Sequence, residues 1–272
     1  MIYERLTAAQ FGPRLNPEST AVLTAYARPR EEFLAEEGGR WGVIVLPGGG
    51  YQVNAKSEGE PVALAFLGAG VQAFLLEYSV APVRWPQALL ETASAIAWLR
   101  ENAGRYGVAP DKIAVCGFSA GGHLAGCAAN LWNSPVIGAE LGLAGEQARP
   151  DAAILCYPVI TMGKFGSDMT RSNLFGEAAP AEGTSLEHSV TGQNPPAFLW
   201  ATCTDGSVPV ENTLLYASAL RERGVPFELH IFSDGPHAMG LATGESAWDA
   251  GHTHPRAAHW HPMCVSWLKG LK

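Results

Sequence analysis

Short apolar runs recur along the chain near residues 20–26, 43–46, 71–77, 113–117, 152–157, 197–203 and 227–232, each bounded by glycine, proline or polar residues. Their length and boundaries predict strands. The run Phe227-Glu228-Leu229-His230-Ile231-Phe232 alternates in polarity, as expected of a strand on the edge side of a sheet. Helical patterns fall between the strands. Ser57-Glu58-Gly59-Glu60 has capping-box spacing and predicts a helix running to Leu67. Residues 86–106 carry Leu89, Ala93, Ile96, Ala97 and Leu99 on a core-facing stripe, and 120–130 and 209–223 are also helix-compatible. Alternating strands and helices predict an α/β protein with a doubly wound, mostly parallel sheet and helices on both faces. No internal repeat or linker-like segment divides the chain, so residues 1–272 are expected to form one domain. Residues 161–193 break the pattern, being rich in Gly, Ser, Thr and Ala between two strands, and are expected to form a small lid or substrate wall.

Four strand ends carry chemistry. Val115-Cys116 runs into Gly117-Phe118-Ser119-Ala120-Gly121-Gly122, a G-x-S-x-G sequence set between a strand and a helix, which is the context of a nucleophile elbow. The glycines matter because a serine held in such a turn crowds its neighbours, and residues without a Cβ relieve the clash. The strand 43–46 ends in Pro47-Gly48-Gly49-Gly50-Tyr51, whose amides at Gly49 and Gly50, with that of Ala120, would stabilise an oxyanion. A phosphate cradle would require G-K-[ST] or G-x-G-x-x-G leading into a helix, and neither is present. The strand 197–203 ends at Asp205, placed to orient an imidazole or to cap the next helix. After 227–232, Asp234-Gly235-Pro236-His237 places His237 as the base in a Gly/Pro loop, with Asp234 as an alternative acid. Tyr51 and Phe118, beside the glycine loop and the serine, are expected to contact substrate.

The order Ser119, Asp205, His237 is that of α/β-hydrolases. Through PGGGY at 47–51, EGEP at 58–61, GFSAGGHLA at 117–125, the stretch 185–212 and GPHAMGLA at 235–242, the chain resembles hormone-sensitive-lipase-like esterases, and especially bacterial acetyl xylan and feruloyl esterases. Pro47 and Phe118 replace the His and acidic residue of the lipase-like pattern, which favours the carbohydrate-esterase group. Ala238 stands where that group has glycine. The resemblance implies an α/β-hydrolase fold and a cofactor-free serine esterase acting on short or aromatic acyl esters of sugars, such as acetylated xylo-oligosaccharides. A prolyl-oligopeptidase-type exopeptidase shares the Asp-x-x-Val-Pro pattern seen at 205–209, and a non-catalytic binding protein could share the fold.

Composition narrows the partners. The 272 residues include 18 Lys and Arg against 26 Asp and Glu, a net charge of −8 without any basic cluster, which disfavours nucleic acid and anionic membrane as partners. No leader-like start or spanning apolar run is present, so a cytoplasmic location is expected. An odd set of five cysteines, at 116, 127, 156, 203 and 264, suits reduced thiols better than a disulfide framework. His252, His254, His259 and His261 crowd the C-terminal region, but no helical pairing completes a metal-ligand set, and no metal is expected. His123, after the elbow, is expected to hydrogen-bond structurally. Oligomeric state is left open.

Overall fold

The computed structural model describes residues 1–29 and 39–271. Among them run eight strands, β1 (Ile2–Thr7), β2 (Val22–Ala27), β3 (Arg40–Leu46), β4 (Gln72–Glu77), β5 (Val108–Phe118), β6 (Ala152–Cys156), β7 (Ala197–Thr202) and β8 (Phe227–Phe232). The helices are α1 (Ala8–Phe11), α2 (Glu60–Gly68), α3 (Gln87–Asn102), α4 (Ala120–Leu131), α5 (Pro135–Leu141), α6 (Asp168–Phe175), α7 (Glu211–Glu222) and α8 (Trp260–Gly270). The sheet order is β1-β2-β4-β3-β5-β6-β7-β8, antiparallel at β1–β2 and β2–β4 and parallel from there on. This is the doubly wound sheet that the alternation of elements predicts.

The period-2 alternation of strand side chains divides the core into two layers. Ile44, Phe74, Val115, Leu155 and Leu199 face one layer, which α3, α4, α5 and α7 close with Leu89, Ile96, Leu124, Ile137 and Leu220. Val43, Val45, Ala114, Ile154, Phe198 and Trp200 face the other, closed by Val62 and Phe66 of α2 and Trp260, Cys264 and Leu268 of α8. Strands buried on both faces lose polar alternation, which is why 113–117 and 152–157 read as continuous apolar runs.

Several elements depart from the sequence expectation. Strand β1 lies outside the apolar runs, because its side chains alternate along an exposed edge. Strand β5 starts five residues earlier than the run at 113–117, at Val108. The helix expected over 86–106 ends at Asn102 and continues as a 3-10 turn, Ala103–Tyr106, closed by Gly107 at φ 64°. The capping box at Ser57 does not form. A 3-10 turn, Lys56–Glu58, precedes α2, whose N-cap is Gly59. The reason is tertiary: the Glu58 carboxylate points into the protein, where it accepts hydrogen bonds from Gly48 N and the Tyr157 hydroxyl.

Arg100 of α3 fastens the start of β5 and the entry to β6. Its guanidinium donates to the carbonyls of Pro110 (2.9 Å), Gln147 (2.7 Å) and Arg149 (2.9 Å) and to Asp151 Oδ2 (2.8 Å). That carboxylate also accepts from Ile113 N at 2.9 Å. Five donors in a rigid fork suit such a junction. Arg100→Met is expected to cost about 1.5–3 kcal/mol, by the worth of hydrogen bonds to a charged group. Differential scanning calorimetry should show a drop in Tm of roughly 3–12 °C for a chain of this size.

Candidate active site

In the parallel part of the sheet the C-terminal strand ends Leu46, Phe118, Cys156, Thr202 and Phe232 share one edge, where ligands of open α/β sheets bind. The loops leaving four of these ends build the site.

The turn after β5 holds an ordinary residue in a strained conformation. Ser119 has φ 54° and ψ −117°, a conformation that an L-residue adopts only when its surroundings impose it. Ser119 N donates to Cys156 O (3.0 Å), while Ser119 O accepts from His123 N (3.0 Å) and Val159 N (3.1 Å). The flanking glycines are sterically required. A Cβ on Gly117 would lie 2.0 Å from Gly121 O, and one on Gly121 would lie 2.2 Å from Leu46 O.

Three predicted residues converge. The Ser119 hydroxyl donates to His237 Nε2 at 2.8 Å, and His237 Nδ1 donates to Asp205 Oδ2 at 2.6 Å, with the tautomer assigned from these partners. Asp205 fills both roles considered for it, since its Oδ1 accepts from Ser207 N (2.8 Å) and Val208 N (2.9 Å) in the turn before α7. A carboxylate held by backbone donors cannot swing, so its second oxygen is fixed toward the imidazole. Thr202 Oγ1 and Thr204 Oγ1 donate to Gly235 O and pin the loop of His237 to the end of β7. Asp234 turns away, accepting from Ser233 Oγ at 2.7 Å and pairing with His254 at 3.0 Å. Ala238 has φ 61°, the left-handed conformation for which glycine is the natural choice.

The glycine loop carries three successive positive φ values, 116° at Gly49, 63° at Gly50 and 56° at Tyr51. Gly48 N is committed to Glu58 Oε2 at 2.8 Å. Among the described residues, the amides of Gly49, Gly50 and Ala120 have no acceptor within the protein. Helix α6, within the predicted wall 161–193, covers this loop: Asn173 Nδ2 donates to Gly50 O at 2.9 Å, and a Cβ on Gly50 would lie 2.4 Å from Met169 Cε. Met169 is 53% exposed beside it. Neither Met169 nor Asn173 carried a signal in the sequence, because the contact joins segments more than a hundred residues apart.

Two predicted substrate contacts lie elsewhere. Phe118 is fully buried, packed against Tyr157 and Trp260. By strand alternation its side chain joins those of Ala114 and Cys116 in the core layer closed by α2 and α8. Tyr51 is also buried, with its hydroxyl 3.0 Å from His123 Nδ1 and its ring edge-on to Tyr78. Both side chains support the site from within. His123 is structural, as expected: its Nε2 donates to Thr184 O at 2.8 Å while Nδ1 accepts from Tyr51.

The C-terminal histidines are dispersed. His252 pairs with Asp249 at 2.6 Å, His254 with Asp234, and His261 packs on Phe66, while His259 precedes α8. Among the described residues, no three His, Cys, Asp or Glu side chains gather as a metal site. A cleft of about 630 Å³ is lined by Glu60, Leu64, Leu241 and His261, and no residue of the Ser119–His237–Asp205 chain borders it. No helix among the described residues is long and apolar enough to cross a membrane.

The BD-FAE family model matches residues 35–220. The chain belongs to the BD-FAE family. Its sheet is that of the α/β-hydrolases. It is 36% identical to the acetyl ester-xyloside bifunctional hydrolase of Caldicellulosiruptor lactoaceticus, with a TM-score of 0.78 over 93% of this chain and 89% of that one. It is 37% identical over 219 residues to endo-1,4-beta-xylanase B of Butyrivibrio fibrisolvens, a match covering 77% of this chain and 34% of that protein. The acetylxylan esterase of Xylanibacter ruminicola is 25% identical over 252 residues, 89% of this chain and 48% of that protein. The chain therefore spans about a third to a half of the length of these curated relatives.

Gly121→Ala, whose new methyl would meet two backbone carbonyls at 2.2 and 2.3 Å, is expected to abolish soluble expression of this BD-FAE chain. Gly68→Ala, which meets nothing within 4 Å at the end of α2, should leave Tm unchanged or slightly raised. Soluble yield of the two variants, with a thermal melt of Gly68→Ala against the parent chain, checks the contrast. Burial lowers the pKa of His123 to about 4 from its ordinary 6.5. A depressed folded-state value means that the neutral ring contributes stability in full above pH 6.5, and that this contribution is lost as pH falls toward about 4. Tm measured across that window should fall less steeply in His123→Asn than in the parent chain, even though the variant starts from a lower Tm.

Proposed function

We propose that this chain is a serine carboxylic-ester hydrolase that works through an acyl-enzyme. The observation that carries this reading is the continuous path from Ser119 Oγ through His237 to Asp205, at 2.8 and 2.6 Å, above a strained elbow. Ser119 Oγ attacks the ester carbonyl while His237 Nε2 takes its proton, and Asp205 holds the ring and offsets the charge of the imidazolium. The unpartnered amides of Ala120, Gly49 and Gly50 receive the oxyanion of the tetrahedral intermediate. His237 then protonates the departing alkoxide, and water repeats the sequence on the acyl-serine. The side chains named need no cofactor for these steps.

The likeness to proteins named acetyl ester-xyloside hydrolase and acetylxylan esterase supports acetyl or other short acyl groups on carbohydrates as the substrate class. Met169 and the 56% exposed Val53 near the glycine loop give that substrate an apolar wall, and the segment 161–193 is the lid that carries Met169. Four buried free thiols suit a reducing compartment and support a cytoplasmic setting.

A fluorophosphonate is expected to label one serine, Ser119, and Ser119→Ala should lower kcat by roughly four to six orders of magnitude. Asp205→Asn should be far more damaging than Asp234→Asn, because only Asp205 touches His237. Full labelling of Ser119→Ala, or the reverse ranking of the two aspartates, would overturn the assignment. A panel of p-nitrophenyl acyl esters, acetylated xylo-oligosaccharides and aminoacyl-p-nitroanilides fixes the substrate class. Turnover should favour the short esters and the acetylated sugars over the anilides.

A further inference from the structure

Glu58 is a carboxylate with 1% of its surface exposed, set between the two loops that carry the catalytic atoms. Its Oε2 accepts from Gly48 N at 2.8 Å, at the base of the glycine loop. Its Oε1 accepts from the Tyr157 hydroxyl at 2.7 Å, and that hydroxyl accepts in turn from Gly240 N at 2.9 Å, three residues beyond His237. The Tyr157 ring stands edge-on to the His237 ring at 5.1 Å. Tyr157 is held at φ 37°, a left-handed conformation that an aromatic residue adopts only under constraint, and its N–H donates to Trp200 O at 2.7 Å. A Cβ on Gly48 would lie 2.6 Å from Glu58 Oε2 and 3.0 Å from Ser119 Cβ, so the carboxylate sits one residue's width from the nucleophile.

We propose that Glu58 is a positioning residue that registers the glycine loop against the His237 loop and sets a second negative charge behind the imidazole. The proposal rests on the serine-esterase reading and deepens it. Two donors reach the two oxygens, and the Tyr157 oxygen is already an acceptor for Gly240 N–H, so the hydrogen bonds fit an ionised Glu58. A buried charge persists when such donors surround it and an opposite charge forms nearby. Burial raises the pKa of Glu58, while Tyr157, His237 and Gly48 act against the rise. The groups that face His237 are Asp205 at Nδ1, Ser119 at Nε2 and the Tyr157 ring. Those that face Glu58 are Tyr157, Gly48, His237 and Tyr78. Asp234, the acid in the histidine's own loop, is turned to His254. When His237 takes the serine proton, the new imidazolium therefore sees Asp205 by contact and Glu58 through a low-dielectric interior, where the attraction is little screened.

The test is Glu58→Gln in the full chain, with the active fraction counted by fluorophosphonate titration at Ser119. The proposal expects kcat on p-nitrophenyl acetate to fall about ten- to a hundredfold, as for the loss of hydrogen bonds to a charged group, with KM within about threefold. It also expects the acid limb of kcat/KM to move to lower pH by roughly 0.3–1 unit, because the imidazolium loses a nearby counter-charge. A merely structural glutamate would lower Tm and leave kcat or the acid limb where it was, and either result overturns the proposal. If Glu58→Gln does not fold, Tyr157→Phe removes the link to Gly240 and one of the two donors that hold the Glu58 carboxylate. It should lower kcat severalfold without raising KM, and a parental kcat in that variant overturns the proposal. Absence of Ser119 labelling in the parent chain would instead refute the serine-esterase reading, so the two failures are distinguishable.

Discussion

The active-site edge depends on the positive φ of Ser119. Holding an ordinary L-residue there costs on the order of 1–3 kcal/mol, and the conformation survives only if the surroundings over-determine it. Hydrogen bonds from β6 and from the segment after it fix the serine's N–H and C=O, and α4 starts on the next residue. Glycines at 117 and 121 let backbone pass at distances no Cβ would tolerate. The elbow thus presents the serine hydroxyl at the edge and brings Leu46 and Pro47, the root of the glycine loop, against the first turn of α4. One strained torsion therefore fixes the spacing between Ser119 and the glycine loop.

Buried polar groups tie the remaining loops to this elbow. His123, Glu58 and Asp205 are each nearly inaccessible, and each joins segments that are distant in sequence. His123 links the glycine loop, through Tyr51, to the segment before β7 at Thr184. Asp205 links the turn before α7 to His237. Glu58 links the glycine loop to Tyr157, and through it to the backbone beyond His237. An unmade hydrogen bond in such surroundings costs more than a made one contributes, so these groups specify geometry more than they add stability. The neutral state of His123 follows from the same burial, since the water lost by a charged ring there outweighs the Thr184 carbonyl and the Glu187 charge that would favour it.

Much of this was legible in the chain. The alternation of apolar runs with helical stretches specified the parallel sheet, and residues following the strand ends named Ser119, Asp205 and His237 before their geometry was known. The misreadings share a cause. Phe118 and Tyr51 stand beside chemistry in sequence, yet strand alternation turns one inward and a left-handed turn buries the other. Ser57 and Glu60 have the spacing of a capping box, but Gly59 caps the helix instead, and Glu58 between them turns inward to two donors brought in from residues 48 and 157. Strand β1 has no apolar run to mark it, because an exposed edge needs none.

What the sequence determined by itself is whatever short-range chemistry enforces: hydrophobic periodicity chooses strand or helix, and a glycine on each side of a serine permits one kind of turn. Only the tertiary structure decided which face each side chain meets, which of two aspartates reaches the imidazole, and where Glu58 points its carboxylate. These outcomes depend on distances between segments 10 to 118 residues apart in the chain, such as Gly48 to Glu58 and Ser119 to His237. No local pattern encodes such a distance, because it exists only once the two apolar layers have closed on the sheet and water has left.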